Sequence, residues 1–154
     1  MAVFFHTTDG EWGALSNFAP FGVDLDGEYW PTVEHYYQAQ KFAAGDAQRR
    51  ILLARSPRQA ARLGRDRSVP IRPDWEQARV SVMRRALVKK FETHRELQEL
   101  LLSTGDEDIV ECPGDPFWGV GADGVGSNTL GRLLMEIRTE LRGLETRVND
   151  RGHR

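Results

Sequence analysis

The sequence predicts one globular domain that opens in strand and turn and continues mainly in helices. Three observations carry this. Up to Trp30, short runs of β-forming residues alternate with Gly, Pro and Asp-Gly breaks. Beyond Thr32, apolar residues recur at helical spacing behind cap-like Ser, Thr and Asp positions. A chain of 154 residues, 40% hydrophobic and 29% charged, fits one domain with a real core and the make-up of an ordinary soluble protein.

The elements follow in order. Val3-Phe4-Phe5-His6 is a strand ended by Thr7-Thr8-Asp9-Gly10. Asn17 and Pro20 are loop residues, with Phe18 and Phe21 near them. Phe21 to Trp30 reads as a β-hairpin, in which Val23 and Leu25 alternate with polar positions and Asp26-Gly27 makes the tight turn. Pro31 ends the returning strand and Thr32 caps a helix. Asp46 is expected to cap the next helix, which carries Ile51, Leu52 and Leu53. Ser56-Pro57 starts another that ends at Gly64. Arg65 to Pro73 is a basic loop. Asp74 and Gln77 have the spacing of a capping box at the head of a longer helix with Val80, Met83, Leu87 and Phe91 at core positions. Arg79, Arg84, Arg85, Lys89 and Lys90 are expected on its solvated sides.

A short helix from Glu96 to Leu102 stops at Thr104-Gly105-Asp106, and Ile109 to Cys112 is a strand. The loop Pro113 to Trp118 follows. Gly119-Val-Gly-Ala-Asp-Gly124 has the letters of a dinucleotide fingerprint, but the remaining chain is too short for a second βαβ unit, so that reading is rejected. The glycines instead lead to Ser127-Asn128, a helix cap ahead of Leu130, Leu133, Leu134, Ile137 and Leu141. Backbone N–H groups at such a loop offer a place for a phosphate or sugar oxygen. The domain is expected over residues 1–143, with 144–154 a polar tail that frays.

The most informative stretch is Thr32 to Phe42. At about 100° per residue, Gln38 lies roughly 40° round the helix from Glu34, and Lys41 roughly 20° the other way. A carboxylate, an amide and an ammonium thus share one face. Spacing alone also describes a solvated, salt-bridged face.

Composition excludes several classes. A net charge of −2 gives no basic footprint for nucleic acid. One cysteine, Cys112, rules out an internal disulfide and agrees with a reducing cytoplasmic setting. No run approaches a membrane span, and the first residues lack a signal-peptide pattern. Four scattered histidines and one cysteine give no metal-ligand spacing, and neither a serine triad nor a Walker loop is present. No metal and no cofactor are expected.

Taken together, Leu15-Ser-Asn-Phe18, Glu34-His-Tyr-Tyr-Gln-Ala-Gln-Lys41, Leu63-Gly-Arg65, Asp74-Trp75, Met83, Lys90-Phe91, Leu102-Ser-Thr-Gly-Asp106, Glu111, Asp115-Pro-Phe-Trp-Gly-Val-Gly121 and Gly126-Ser-Asn-Thr-Leu-Gly131 closely resemble the YbiA-like family, also called NADAR domains. The motifs run in the family's order over nearly the whole chain. The resemblance implies an α+β, mainly helical single domain that cleaves N-glycosidic bonds. One branch of the family hydrolyses the early ribosylamino-pyrimidine phosphates of riboflavin biosynthesis, releasing ribose 5-phosphate. Another removes ADP-ribose from guanine in nucleic acid.

Breaking a ribose–nitrogen bond builds positive charge at C1 of the sugar, which a carboxylate stabilises. Glu34 is the candidate for that role. Lys41 is open to two: a cation for phosphate or leaving-group charge, or an amine adding to C1 of an opened ribose. Trp75 and Trp118 offer ring faces to the base, and Asn17, Asp115 and Asn128 offer partners for its edges or the ribose hydroxyls. The matched motifs add Phe18, Gln38, Arg65 and Glu111 to the substrate-binding set. Arginines near Arg65, Arg72 and Arg79 are enough for one terminal phosphate. The expected partner is a small nucleotide-like molecule, with ADP-ribosylated nucleic acid the alternative and no membrane. Two rivals use the same residues differently: a module that holds ADP-ribose or a nucleotide without turnover, and a purely structural interaction protein.

Overall fold

A computed structural model describes residues 1–152 and shows an α+β, mainly helical architecture with two small two-stranded sheets. The chain forms two compact units, Asn17–Thr93 on one hand and Met1–Ser16 with the chain from His94 onward on the other.

In the unit Asn17–Thr93, β2 (Val23–Leu25) and β3 (Glu28–Trp30) form the expected antiparallel hairpin, in register Val23 to Trp30 and Leu25 to Glu28. Its turn residues Asp26 and Gly27 have φ of 58° and 79°, the left-handed pair that this tight turn demands and that Asp-Gly supplies. Arg85 ties the turn down, 2.8 Å from Asp26, and donates to the Tyr36 hydroxyl at 3.1 Å. Helix α1 (Val33–Ala39) begins at Thr32, whose hydroxyl accepts the His35 N–H at 3.1 Å. Helix α2 (Asp46–Leu52) is capped by Gly45 at φ 138° rather than by Asp46, because only glycine takes that backbone readily. Helix α3 (Pro57–Gly64) starts at Ser56, whose side chain accepts from Gln59 N.

Helix α4 (Trp75–Thr93) completes the unit. Its expected capping box is not what holds its start: the Asp74 carboxylate takes two bonds from Arg72, at 2.6 and 2.8 Å. Met83, Leu87 and Phe91 are buried as expected. Lys90 is not on a solvated side; it is fully buried, lying on the same i, i+4, i+7 stripe as Met83 and Leu87.

In the other unit, β1 (Ala2–Phe5) pairs in parallel with β4 (Asp108–Glu111), Ala2 opposite Asp108 and Phe5 opposite Glu111. Val3 and Phe5 are buried while Phe4 is exposed, the alternation of a half-buried strand. Helix α5 (Arg95–Ser103) packs on α6 (Thr129–Gly152), which buries Leu130, Leu133, Leu134, Ile137 and Leu141. A Cβ at Gly131 would lie 2.1 Å from the Ile109 carbonyl, so the glycine permits α6 to lie close against β4. Arg138, also buried, donates to Thr104 Oγ1 at 2.8 Å and to the Glu107 carbonyl at 2.7 Å. The polar stretch after Gly143 is helical through Gly152 rather than frayed. One glycine costs a helix only about 1 kcal/mol, and Leu144, Glu145 and Arg147 are good helix formers. Residues 153 and 154 of the expected tail lie outside the described residues.

Candidate active site

The cluster of Glu34 and Gln38 on α1 with Lys41 in the turn beyond it is buried: all three are at most 9% exposed. It is not the solvated ion-pair surface that spacing alone also allowed. One turn of helix brings Gln38 Nε2 to 2.7 Å from Glu34 Oε1. One donor of Gln38 therefore fixes the carboxylate, while Gln38 Oε1 finds no hydrogen-bond partner among the described residues and packs against Gly64. A Cβ at Gly64 would fall 2.0 Å from that oxygen. Gly64 lets the end of α3 approach α1 this closely.

Lys41 lies two residues past the end of α1, with its Nζ 3.4 Å from the Gly64 carbonyl and 6.0 Å from the centre of the Tyr37 ring. Burial first, and then the charge of Arg67, press its pKa from 10.5 down to about 8; Glu34 opposes this and Arg65 adds to it. A buried carboxylate in the first turn of one short helix and, just past its last turn, a buried lysine with an appreciable neutral fraction thus belong to one local cluster. The pair has the makings of acid–base or nucleophilic work.

The backbone around this pair is held from two sides. The Asn17 carbonyl accepts the Glu34 N–H at 3.2 Å. His35, 1% exposed, faces the Ala54 carbonyl with Nε2 at 3.0 Å and the Thr32 hydroxyl with Nδ1 at 2.8 Å. A carbonyl cannot donate, so Nε2 carries the hydrogen and Nδ1 accepts from Thr32. Burial lowers the His35 pKa and keeps this neutral form, which clamps the start of α1 to the turn before α3. Neither His35 nor Gly64 stands out in the sequence, although both lie inside the matched motifs; a histidine three residues after a cap threonine is the available signal.

The other expected residues of this unit are placed as follows. Asn17 Oδ1 is buried with no hydrogen-bond partner among the described residues, while its Nδ2 meets Met83 Sδ at 3.5 Å. Phe18 is 38% exposed. Trp75 is buried, its ring 5.1 Å from that of Tyr37. Arg65 is exposed at the C-terminal cap of α3.

In the other unit, Asp115 Oδ1 accepts the N–H groups of Phe117 and Trp118, both at 2.7 Å, which shapes the loop that carries Trp118. Trp118 is half-buried and meets Phe117 edge-on at 4.9 Å. Glu111 Oε1 is 4.0 Å from His6 Nδ1. Asn128 does not cap α6 with its side chain. At φ 49° it turns back on β4, accepting from Glu111 N at 3.1 Å and donating to the Ile109 carbonyl at 2.9 Å. The N–H groups between the glycine loop and α6 are not open to an anion either. Carbonyls of the same stretch take the N–H groups of Ser127, Asn128, Thr129 and Leu130 at 2.8 to 3.0 Å, and those of Gly119, Gly121 and Gly126 are bonded likewise. Donors already satisfied have nothing left for a phosphate.

Comparison with known proteins gives this arrangement its context. Residues 3–142 match the NADAR domain. The Escherichia coli (strain K12) protein named N-glycosidase YbiA is 49% identical over 138 residues, covering 89% of this chain and 86% of that one. A maize protein named riboflavin biosynthesis protein PYRR, chloroplastic, is 46% identical over 92% of this chain, which spans 25% of that longer protein. The NMR structure of E. coli YbiA superposes with a TM-score of 0.86 at 46% identity, covering 94% of this chain and 87% of that one. The chain belongs to the NADAR domain family.

Proposed function

We propose that this protein is an N-glycosidase acting in the cytoplasm on early ribosylamino-pyrimidine phosphates of the riboflavin pathway, releasing ribose 5-phosphate. The observation that carries this reading is the buried Glu34 carboxylate, fixed by Gln38 and accompanied by a lysine of lowered pKa. It is supported by relatives named N-glycosidase and, in maize, riboflavin biosynthesis protein.

The chemistry follows from the groups present. The ribosyl C1–N bond breaks, its electron pair leaves with the pyrimidine amine, and Glu34 stabilises the positive charge left at C1. In the alternative course, on an opened ribose whose C1 is joined to the pyrimidine nitrogen as a protonated imine, the neutral amine of Lys41 adds to C1, gives up one proton to that nitrogen and replaces the departing pyrimidine amine as a protonated imine. Water then hydrolyses the resulting imine, frees the sugar and restores Lys41. The leaving amine takes up one proton in this exchange, and Glu34, the carboxylate near Lys41, is the group to relay it.

Net charge favours this substrate over ADP-ribosylated nucleic acid. Binding a polynucleotide draws heavily on neutralised phosphates, and a chain of net charge −2 has no overall basic footprint. Incubation with ribosylamino-pyrimidine phosphate and, side by side, with ADP-ribosylated guanine in DNA, read by mass spectrometry, tests the reading. Faster consumption of the free pyrimidine supports it. Faster, salt-sensitive release of ADP-ribose overturns it, and binding of either without loss of substrate points to a non-catalytic module.

A further inference from the structure

The arginines of the unit Asn17–Thr93 divide by whether a carboxylate already holds them. Arg72 is paired in two bonds with Asp74, Arg85 with Asp26, and Arg79 with Glu76 at 3.4 Å. Arg65 and Arg67 are exposed, and among the described residues neither forms an ion pair with a carboxylate. Arg67 Nη1 instead donates to the Gly64 carbonyl at 2.9 Å, the same oxygen that Lys41 Nζ approaches at 3.4 Å. Two cationic nitrogens thus lie within two hydrogen-bond lengths of each other, about 6 Å, across one neutral carbonyl. Like charges this close are unfavourable unless an anion joins them. Glu34 answers for one of the charges near Lys41; Arg67 and Arg65 remain.

Resting on the N-glycosidase reading above, we infer that Arg67, assisted by Arg65, grips the 5-phosphate of the substrate while Lys41 and Glu34 face the anomeric carbon. The separation suits one molecule: two cationic nitrogens no more than about 6 Å apart are within the reach of one ribose 5-phosphate, from C1 to its phosphate. Arg67 sits at the solvent side and Lys41 at the buried side, so a substrate enters sugar-first and leaves its dianion at the rim. A guanidinium held at one edge by a carbonyl keeps its other N–H groups directed outward, ready for a charge-assisted pair with phosphate. Arg67 thereby sets specificity for the phosphorylated sugar, and Arg72, committed to Asp74, does not.

The test compares wild type with Arg67→Ala, Arg67→Lys and Arg72→Ala on ribosylamino-pyrimidine with and without its 5-phosphate. In Arg67→Ala, the kcat/KM preference for the phosphorylated over the unphosphorylated substrate is expected to fall by about tenfold or more, chiefly through KM, whereas the rise in the Lys41 pKa on losing the Arg67 charge slows both substrates alike. Arg67→Lys recovers part of the loss, and Arg72→Ala keeps the wild-type preference. An unchanged phosphate preference in Arg67→Ala, or its loss in Arg72→Ala, overturns the assignment. Binding of ribose 5-phosphate against ribose, followed by phosphorus and proton NMR, reads the grip without turnover. Weaker ribose 5-phosphate binding by Arg67→Ala supports it, and equal affinity in the two proteins overturns it. Should the wild type bind ribose 5-phosphate through Arg67 yet fail to cleave the pyrimidine, the substrate reading fails and the phosphate grip stands.

Discussion

Gln38 donates to Glu34 across 2.7 Å with both side chains buried, and the same Gln38 turns its other terminal atom onto Gly64. The carboxylate is thus aimed by an amide that is itself held in place by the end of the neighbouring helix.

The first prediction follows from that contact. A methyl at Gly64 would meet Gln38 Oε1 at 2.0 Å, and the amide, the more mobile group, must yield. Gly64→Ala and Gln38→Ala should each lower kcat by about tenfold, while the double variant falls well short of the sum of the two losses, because the severe clash goes with the amide and only the 3.0 Å approach to the Cβ of residue 38 is left. Additive losses would show that Gly64 acts by some route other than Gln38.

Lys41 gives a prediction about pH. Its folded pKa of about 8 is below the ordinary 10.5, so the neutral amine grows as pH passes 8. If the amine adds to C1, kcat rises from pH 7 and levels off beyond about 9, and borohydride added during turnover leaves a sugar-sized mass on Lys41. Retained activity in Lys41→Arg, with no adduct, would instead make Lys41 a positioning cation.

Lys90 couples stability to pH. Burial lowers its pKa from 10.5 to about 7. Between those values the unfolded chain holds the extra proton, so stability rises with pH across that window; below it the charge stays buried at full cost. Urea denaturation should show the wild type gaining on Lys90→Met by an amount on the order of a few kcal/mol between pH 6 and 10. Parallel profiles for the two proteins would mean that Lys90 is not neutral in the fold.

Much of this was readable from local chemistry. Thr32 and Ser56 cap helices where their hydroxyls predict, Asp26-Gly27 makes its turn, and one face of α1 carries Glu34 and Gln38, although the helix ends before Lys41, which is buried in the turn beyond. Lys90 was misplaced because its charge outweighed a spacing that put it in line with Met83 and Leu87. The parallel pairing of Ala2–Phe5 with Asp108–Glu111 joins segments a hundred residues apart, and no local pattern specifies such a partner. The competition for donors at the glycine loop was equally hidden. The letters announce exposed N–H groups, and only the folded chain shows the carbonyls that take them.

Asn128 offers a purely structural prediction. Its amide closes β4 from the side, taking the Glu111 N–H and serving the Ile109 carbonyl. Asn128→Ala leaves both without that partner and should cost roughly 2 to 4 kcal/mol in chemical denaturation. Asn128→Asp, which keeps an acceptor for Glu111 N but loses the donor, should fall between. A loss below about 0.5 kcal/mol in the alanine variant would show that β4 is held without the amide.

The central claim is that Glu34 is the essential carboxylate of an N-glycosidase. Glu34→Gln preserves shape and removes charge, so its direct measure is single-turnover release of ribose 5-phosphate from ribosylamino-pyrimidine phosphate by the variant and the wild type, with folding checked by urea titration. The rate is expected to drop by at least about a thousandfold in a protein that remains folded. A folded Glu34→Gln that releases ribose 5-phosphate within about threefold of the wild-type rate would contradict the account.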